Sequence, residues 1–209
     1  MYAVRCQVMP RPRSVSPARL AAAALAVIDR DGLAGLSMRA VAAELGLTTM
    51  AVYRYVADRD ELEALVVEEV LRTLDSAPPA AQPFTEQLRI LVERVRATVG
   101  RHPGVVPLLV SHRHRSAGVL RWSETVVGIL HAAGFDGTRR VIALRGLLSY
   151  VIGALQLEHL GPLAGPGTAT IAALADFPRL AETGREAGAV APDDEFAGGL
   201  AIVLRGLSG

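Results

Sequence analysis

An all-α fold is what this sequence predicts, on three grounds. Ala, Leu and Val dominate the 51% of residues that are apolar, and Ala and Leu favour helix. Apolar residues recur three and four apart through most of the chain, with no β-type alternation and no internal repeat. The 20 Gly and 12 Pro gather mainly in a few clusters, which read as punctuation between helices.

Residues 1–15 contain Pro10, Arg11, Pro12 and Arg13 without periodicity and are expected to form a flexible arm, with Met9 an alternative start. Ser16 caps a first helix and Pro17 takes its first position. Leu20, Ala23, Ala24, Val27 and Ile28 then repeat at helical spacing until Asp31 and Gly32 end it. Ser37 caps a short second helix with Val41, Ala42 and Leu45 inward. Gly46 stops it, since glycine tolerates the left-handed backbone needed there. Thr48 caps a third helix, from Thr49 to about Tyr55. Asp58 caps a fourth, running to about Leu74, and Glu61 completes a capping box.

Residues 76–83, SAPPAAQP, are the clearest linker. Leu88, Leu91, Val92, Val95 and Val99 mark a fifth helix, with Glu86, Arg89, Glu93 and Arg96 outside. Pro103 starts a short sixth, to about Ser111. Residues 117–133 read as a seventh, ended by Gly134. Residues 138–160 are apolar nearly all round, so the eighth helix is expected to be covered on more than one side. GPLAGPG breaks it. A ninth helix is expected over 168–183, and a tenth over 193–207 with Phe196, Leu200, Val203, Leu204 and Leu207 inward.

Charge is unevenly placed. The net charge is +1, but residues 1–57 carry seven Arg against Asp29, Asp31 and Glu44, while residues 58–209 carry fifteen Arg against eighteen acids. A basic N-terminal unit on a mildly acidic body fits nucleic-acid contact at one end. Every basic residue is Arg, a bias that GC-rich coding produces, so Arg in place of Lys carries no argument. With one cysteine, Cys6, no internal disulfide forms and a reducing compartment fits. No secretory leader is apparent. The longest uncharged apolar run in a helical region, 146–157, falls short of the roughly 20 residues that span a bilayer. A soluble cytoplasmic protein without membrane contact is expected.

The second and third helices, joined by a tight Gly turn and braced by the first, make a helix-turn-helix. Val41, Ala42, Leu45, Leu47, Val52 and Val56 can form its small core, leaving Thr49, Met50, Tyr53 and Arg54 outward. A helix of this size fits the major groove of double-stranded DNA and reads base edges from its N-terminal end. The expected architecture is therefore an arm over 1–15, a three-helix helix-turn-helix DNA-binding domain over 16–60, and a C-terminal bundle of about six further helices over 61–209.

The stretch LSMRAVAAELGLTTMAVYRYVADRDEL resembles the N-terminal domain of the TetR family of transcriptional regulators. More loosely, HPGVVPLLV, HAAGF, LLSYVIGALQLE, FPRL and EFAGGLAIVLRGL, in that order, resemble the tetracycline-repressor type of C-terminal domain. The resemblance implies that Ser37 and Arg39 contact backbone or a base edge, that Thr48 and Thr49 open the recognition helix, and that Thr49 and Met50 meet bases. It implies a phosphate contact for Tyr53 and for Arg59. Arg54 faces phosphate or guanine. Tyr55 stands where the family often has His; it points away from Tyr53 and is the one expected mainly to pack. Asp58 is a cap.

The body is expected to dimerise through the eighth and tenth helices, as the family does, placing two heads on a palindromic operator. The family binds effectors between the middle helices of the body. Polar or aromatic groups there, His112, His114, Trp122, Tyr150, Gln156 and His159, are the expected liners of a site for an unknown small hydrophobic molecule. His112 and His114 are two apart and lack helical metal-pair spacing, and no nucleophile motif, nucleotide loop or carboxylate cluster appears. Neither an enzyme nor a metal or other cofactor is expected. SHRHR ends the sixth helix, where cations suit the dipole. Two other readings stay open on the sequence: a DNA-binding regulator whose body only dimerises or binds a protein, and a small-molecule-binding helical protein without DNA function.

Overall fold

The computed structural model describes residues 15–161 and 163–208. Cys6, Met9, Arg11 and Arg13 lie outside the described residues. Among the described residues there are eleven α-helices and no strand.

The head is built as its caps dictate. Ser16 accepts from the Arg19 N–H and starts α1 (Pro17–Asp31). Ser37 accepts from Ala40 and starts α2 (Met38–Leu45); Gly46, at φ 65°, ends it and donates back to Ala42 and Ala43. Thr48 accepts from Ala51 and starts α3, which is only Thr49–Val52. The expected run to Tyr55 stops early because the next N–H groups tighten: Arg54 donates to Ala51 and Tyr55 to Val52, each three residues back. That tightening brings Val56 inward, where it is buried with Val52. Asp58 then accepts from Glu61 and starts α4 (Arg59–Leu71), while the Glu61 carboxylate reaches back to the Ala57 N–H. Leu20, Val27, Ile28, Val41, Val52 and Leu62 are all but inaccessible and fill the space between these helices.

α4 lies against α1 and also against the body. The body comprises α5 (Phe84–Val99), α6 (Val106–His112), α7 (Ala117–Ala132), α8 (Gly137–Leu160), α9 (Pro166–Ala172), α10 (Pro178–Ala187) and α11 (Pro192–Ser208). A 3-10 turn, Pro103–Val105, leads into α6. α5 packs on α7, α7 on α8, and α11 on α5 and α8, so head and body share one continuous apolar core. The buried Trp122 indole is satisfied by donating to the Leu91 carbonyl at 3.2 Å.

One expectation about the body is corrected. The helix expected over 168–183 is two helices, α9 and α10. Pro178 has no N–H to continue the ladder and pushes Phe177 out of helical geometry, to φ −128° and ψ 66°. Within one chain α8 buries the stripe Ala143, Leu147, Val151 and Leu155 and leaves Val141, Ile142, Leu157 and Leu160 exposed, so the chain itself covers one of the sides expected to be covered. By length and composition alone, at 24 residues and a mean hydropathy of 1.4, this helix is long and apolar enough to cross a bilayer, which the uncharged run by itself understates. Here its buried stripe packs on α6, α7 and α11.

Candidate functional site

The end of the head formed by α2 and α3 presents a mixed surface. Arg39, Met50, Tyr53 and Arg54 are exposed, Met50 at 73%, a large exposure for an apolar side chain at a helix tip. Thr49 is half-buried. Tyr55 is half-buried too, but packs against the core, opposite Tyr53. Ser37 and Thr48 use their hydroxyl oxygens as caps, which leaves each O–H free to donate outward. Arg59 is already engaged, donating to Glu63 at 2.7 Å and to the Leu33 carbonyl at 3.3 Å. Arg30 is held by Asp31 and Glu44, which raise its pKa further. Arg39 and Arg54, with Arg19 on α1, have no carboxylate partner among the described residues, and two of these three unopposed cations stand on the α2–α3 end. The sequence gives the count of cations; pairing decides which of them face outward unopposed.

Behind this surface, α4 meets the corner between α6 and α7 through charge. His112, 1% exposed, sets Nε2 at 3.3 Å from the Glu63 carboxylate. Arg115 lies 3.0 Å from His112 Nδ1. A guanidinium can only donate, so Nδ1 accepts and Nε2–H donates to Glu63; the tautomer is assigned from these partners. Arg115 also pairs with Asp60 and, chiefly by that hydrogen bond, holds the Asp60 carboxyl below its usual range. One turn on, Glu68 accepts from the Ser116 hydroxyl at 2.8 Å and the Gly118 N–H at 3.1 Å, with Arg121 beside it at 3.4 Å. Gly118 lies so close that a Cβ there would sit 2.7 Å from Leu71 Cβ. His102 fastens the start of the corner to α1 through Asp29 at 2.9 Å.

Next to this joint lies a cavity of about 150 Å³ between the end of α4 and helices α5 to α8. Of the sequence-named residues it brings together His114 and Trp122. It does not gather the other four. His112 turns to α4 instead. Tyr150 donates to the Phe196 carbonyl in the contact with α11, and burial pushes its phenol up. Gln156 and His159 are exposed on other faces of α8. Among the liners that sequence reasoning passed over are Leu71 at the end of α4, Leu74 just beyond it, and Arg113, Ser123 and Arg145. Arg145, Leu148, Ile152 and Leu155 are three or four apart, a helical spacing visible in the sequence once the inward face is known.

Residues 20–64 match the model of the bacterial regulatory proteins of the tetR family, and residues 77–209 match that of the tetracyclin repressor-like C-terminal domain. An HTH-type transcriptional repressor of Streptomyces coeruleorubidus, DrrR1, is 31% identical over 150 residues, 71% of this chain. The chain spans 55% of the length of that relative. A possible TetR family transcriptional regulator of Streptomyces coelicolor A3(2) superposes with a TM-score of 0.83 at 25% identity, over 92% of this chain and 98% of its own. The S. coelicolor protein ActR, solved in complex with (S)-DNPA, superposes at 0.81 with 23% identity, over 94% of this chain and 98% of that one, a likeness of fold.

Proposed function

The chain belongs to the TetR family of transcriptional regulators, and on that premise we propose that it is a dimeric cytoplasmic repressor, bound to a palindromic operator and released from it by a small hydrophobic molecule. Thr49 and Met50 meet bases, with Met50 packing on a thymine methyl. Ser37, Arg39, Thr48, Tyr53, Arg54 and Arg59 hold backbone or base edges, and Tyr55 braces the head from inside. Arg59 reaches phosphate by exchanging its contact with Glu63.

Dimerisation is supported by the outer side of α8 and α11. Ile142, Gly146, Ser149 and Gly153 share one helical face, and Ile142 and Ile202 are more than half exposed. A Cβ built on Gly146, Gly153, Gly198 or Gly206 meets nothing within 4 Å. Apolar side chains between small residues are what two copies need to bring helices close. The dimer sets the two heads about 34–36 Å apart, one turn of DNA.

The observation that carries the switch is that Leu71, the last residue of α4, and Leu74 just beyond it line the cavity. A molecule inside therefore presses on the helix whose other end, at Asp58 and Arg59, begins the head. α6 and α7 are fastened to the same helix by His112, Arg115 and Ser116. Occupancy that favours one tilt of α4 changes the separation of the heads, and it acts only through its different affinity for the two tilts. ActR, of the same fold, has been solved with a small molecule bound.

The test is operator binding by gel shift, using the DNA upstream of the coding sequence, at rising salt and with molecules found by thermal shift. Affinity must fall steeply with salt, since several phosphates are neutralised. It must also fall when a stabilising molecule is added. A molecule that binds yet leaves operator affinity unchanged refutes the switch, and indifference to all DNA at low salt refutes the regulator.

A further inference from the structure

We propose that the cavity takes an amphiphilic anion: a carboxylate or comparable acid on an apolar body of one ring or a short branched chain. This rests on the reading of the cavity as the effector site and adds the charge its ligand must carry. Fifteen residues line the cavity, most of them apolar, and none is acidic. The charged liners are two arginines, Arg113 from the end of α6 and Arg145 from α8, with His114 beside them.

The four arginines around this corner divide cleanly. Arg115 is paired with Asp60 and Arg121 with Glu68, both on α4. Arg113 and Arg145 have no carboxylate partner among the described residues; Arg113 donates only to the Val110 carbonyl of its own helix. Arg113 is half-buried and Arg145 exposed, so both guanidiniums stand at the rim of the apolar wall with their forks open to a ligand. A carboxylate completes them, since a guanidinium fork matches its two oxygens and the bonds are charge-assisted. A ligand cation is repelled from the same place. Size sets the rest: a cavity of this order encloses about one benzene ring. The apolar part lies against Trp122, Leu148 and Ile152, and the acid stays toward the exposed Arg145.

The test compares benzoate, its neutral benzamide and the cationic benzylamine, each titrated into the full chain and followed through Trp122, the chain's one tryptophan. The acid is expected to bind about tenfold more tightly than the amide, and the amine most weakly. Arg145→Gln and Arg113→Gln are each expected to shrink the acid-to-amide ratio to about twofold, and Arg145→Lys to retain most of it. Equal binding of acid and amide, or a ratio that neither glutamine variant changes, overturns the anion inference while leaving an apolar effector site standing. If none of the three binds, both the inference and the effector reading fall.

Discussion

The two sides of the body are made of opposite materials. Where α6 and α7 turn against α4, Glu63, Glu68 and Asp60 meet His112, Ser116 and Arg115, and Gly118 lets the backbones approach. Along the outer side of α8 and α11 stand Ile142, Leu160 and Ile202 among small residues, exposed. Directional, charge-assisted bonds fix a geometry and have discrete alternatives. Apolar area is non-directional and supplies strength in proportion to what it covers. The polar joint is suited to transmitting a tilt, the apolar face to holding two copies together whatever the tilt.

That contrast can be broken at either surface. Ile142→Glu, on the apolar face, is expected to have the largest effect: light scattering should report half the mass, and operator affinity should fall on the order of a hundredfold as the two heads lose their linkage. A dimer that survives this change moves the interface elsewhere. Gly118→Ala comes next. Its methyl group overpacks against Leu71 and should cost about 1–3 kcal/mol in urea unfolding. Glu63→Gln should cost about 1 kcal/mol by weakening the bond to buried His112; a far smaller loss means that the joint rests on apolar contact. Asp60→Asn should act least, because the pair it removes is exposed, and the size of its effect should depend on pH. Arg115 lowers the Asp60 pKa in the folded chain, so its contribution is present above the unfolded carboxylate pKa and is lost as pH falls through the lowered folded value. The variant should therefore lose a small increment of stability at neutral pH, converge with the parent chain in acid, and show a flatter acid limb.

The head was legible because its signals are local. Ser16, Ser37, Thr48 and Asp58 cap where their type and spacing predict, and Gly46 adopts the left-handed turn. The body was less so because its decisive contacts join residues far apart in sequence. His112 pairs with a glutamate 49 residues earlier, and nothing in SHRHR says which imidazole turns to α4 and which to the cavity. Picking polar residues on apolar helices found His114 and Trp122 but also Gln156 and His159, whose faces point elsewhere. Pro178 breaks the expected ninth helix because it has no N–H for the ladder and holds Phe177 out of helical geometry.

Arg96 has one further consequence. It bonds Glu158 near the end of α8 and both the Pro192 carbonyl and Asp193 at the start of α11, with its guanidinium over the Phe196 ring. The α9–α10 hairpin leaves and returns through that neck and packs chiefly on itself. Such a tethered loop is a natural insertion point: a fluorophore, an affinity handle or a shortened bridge can replace it without unthreading the scaffold that carries the heads.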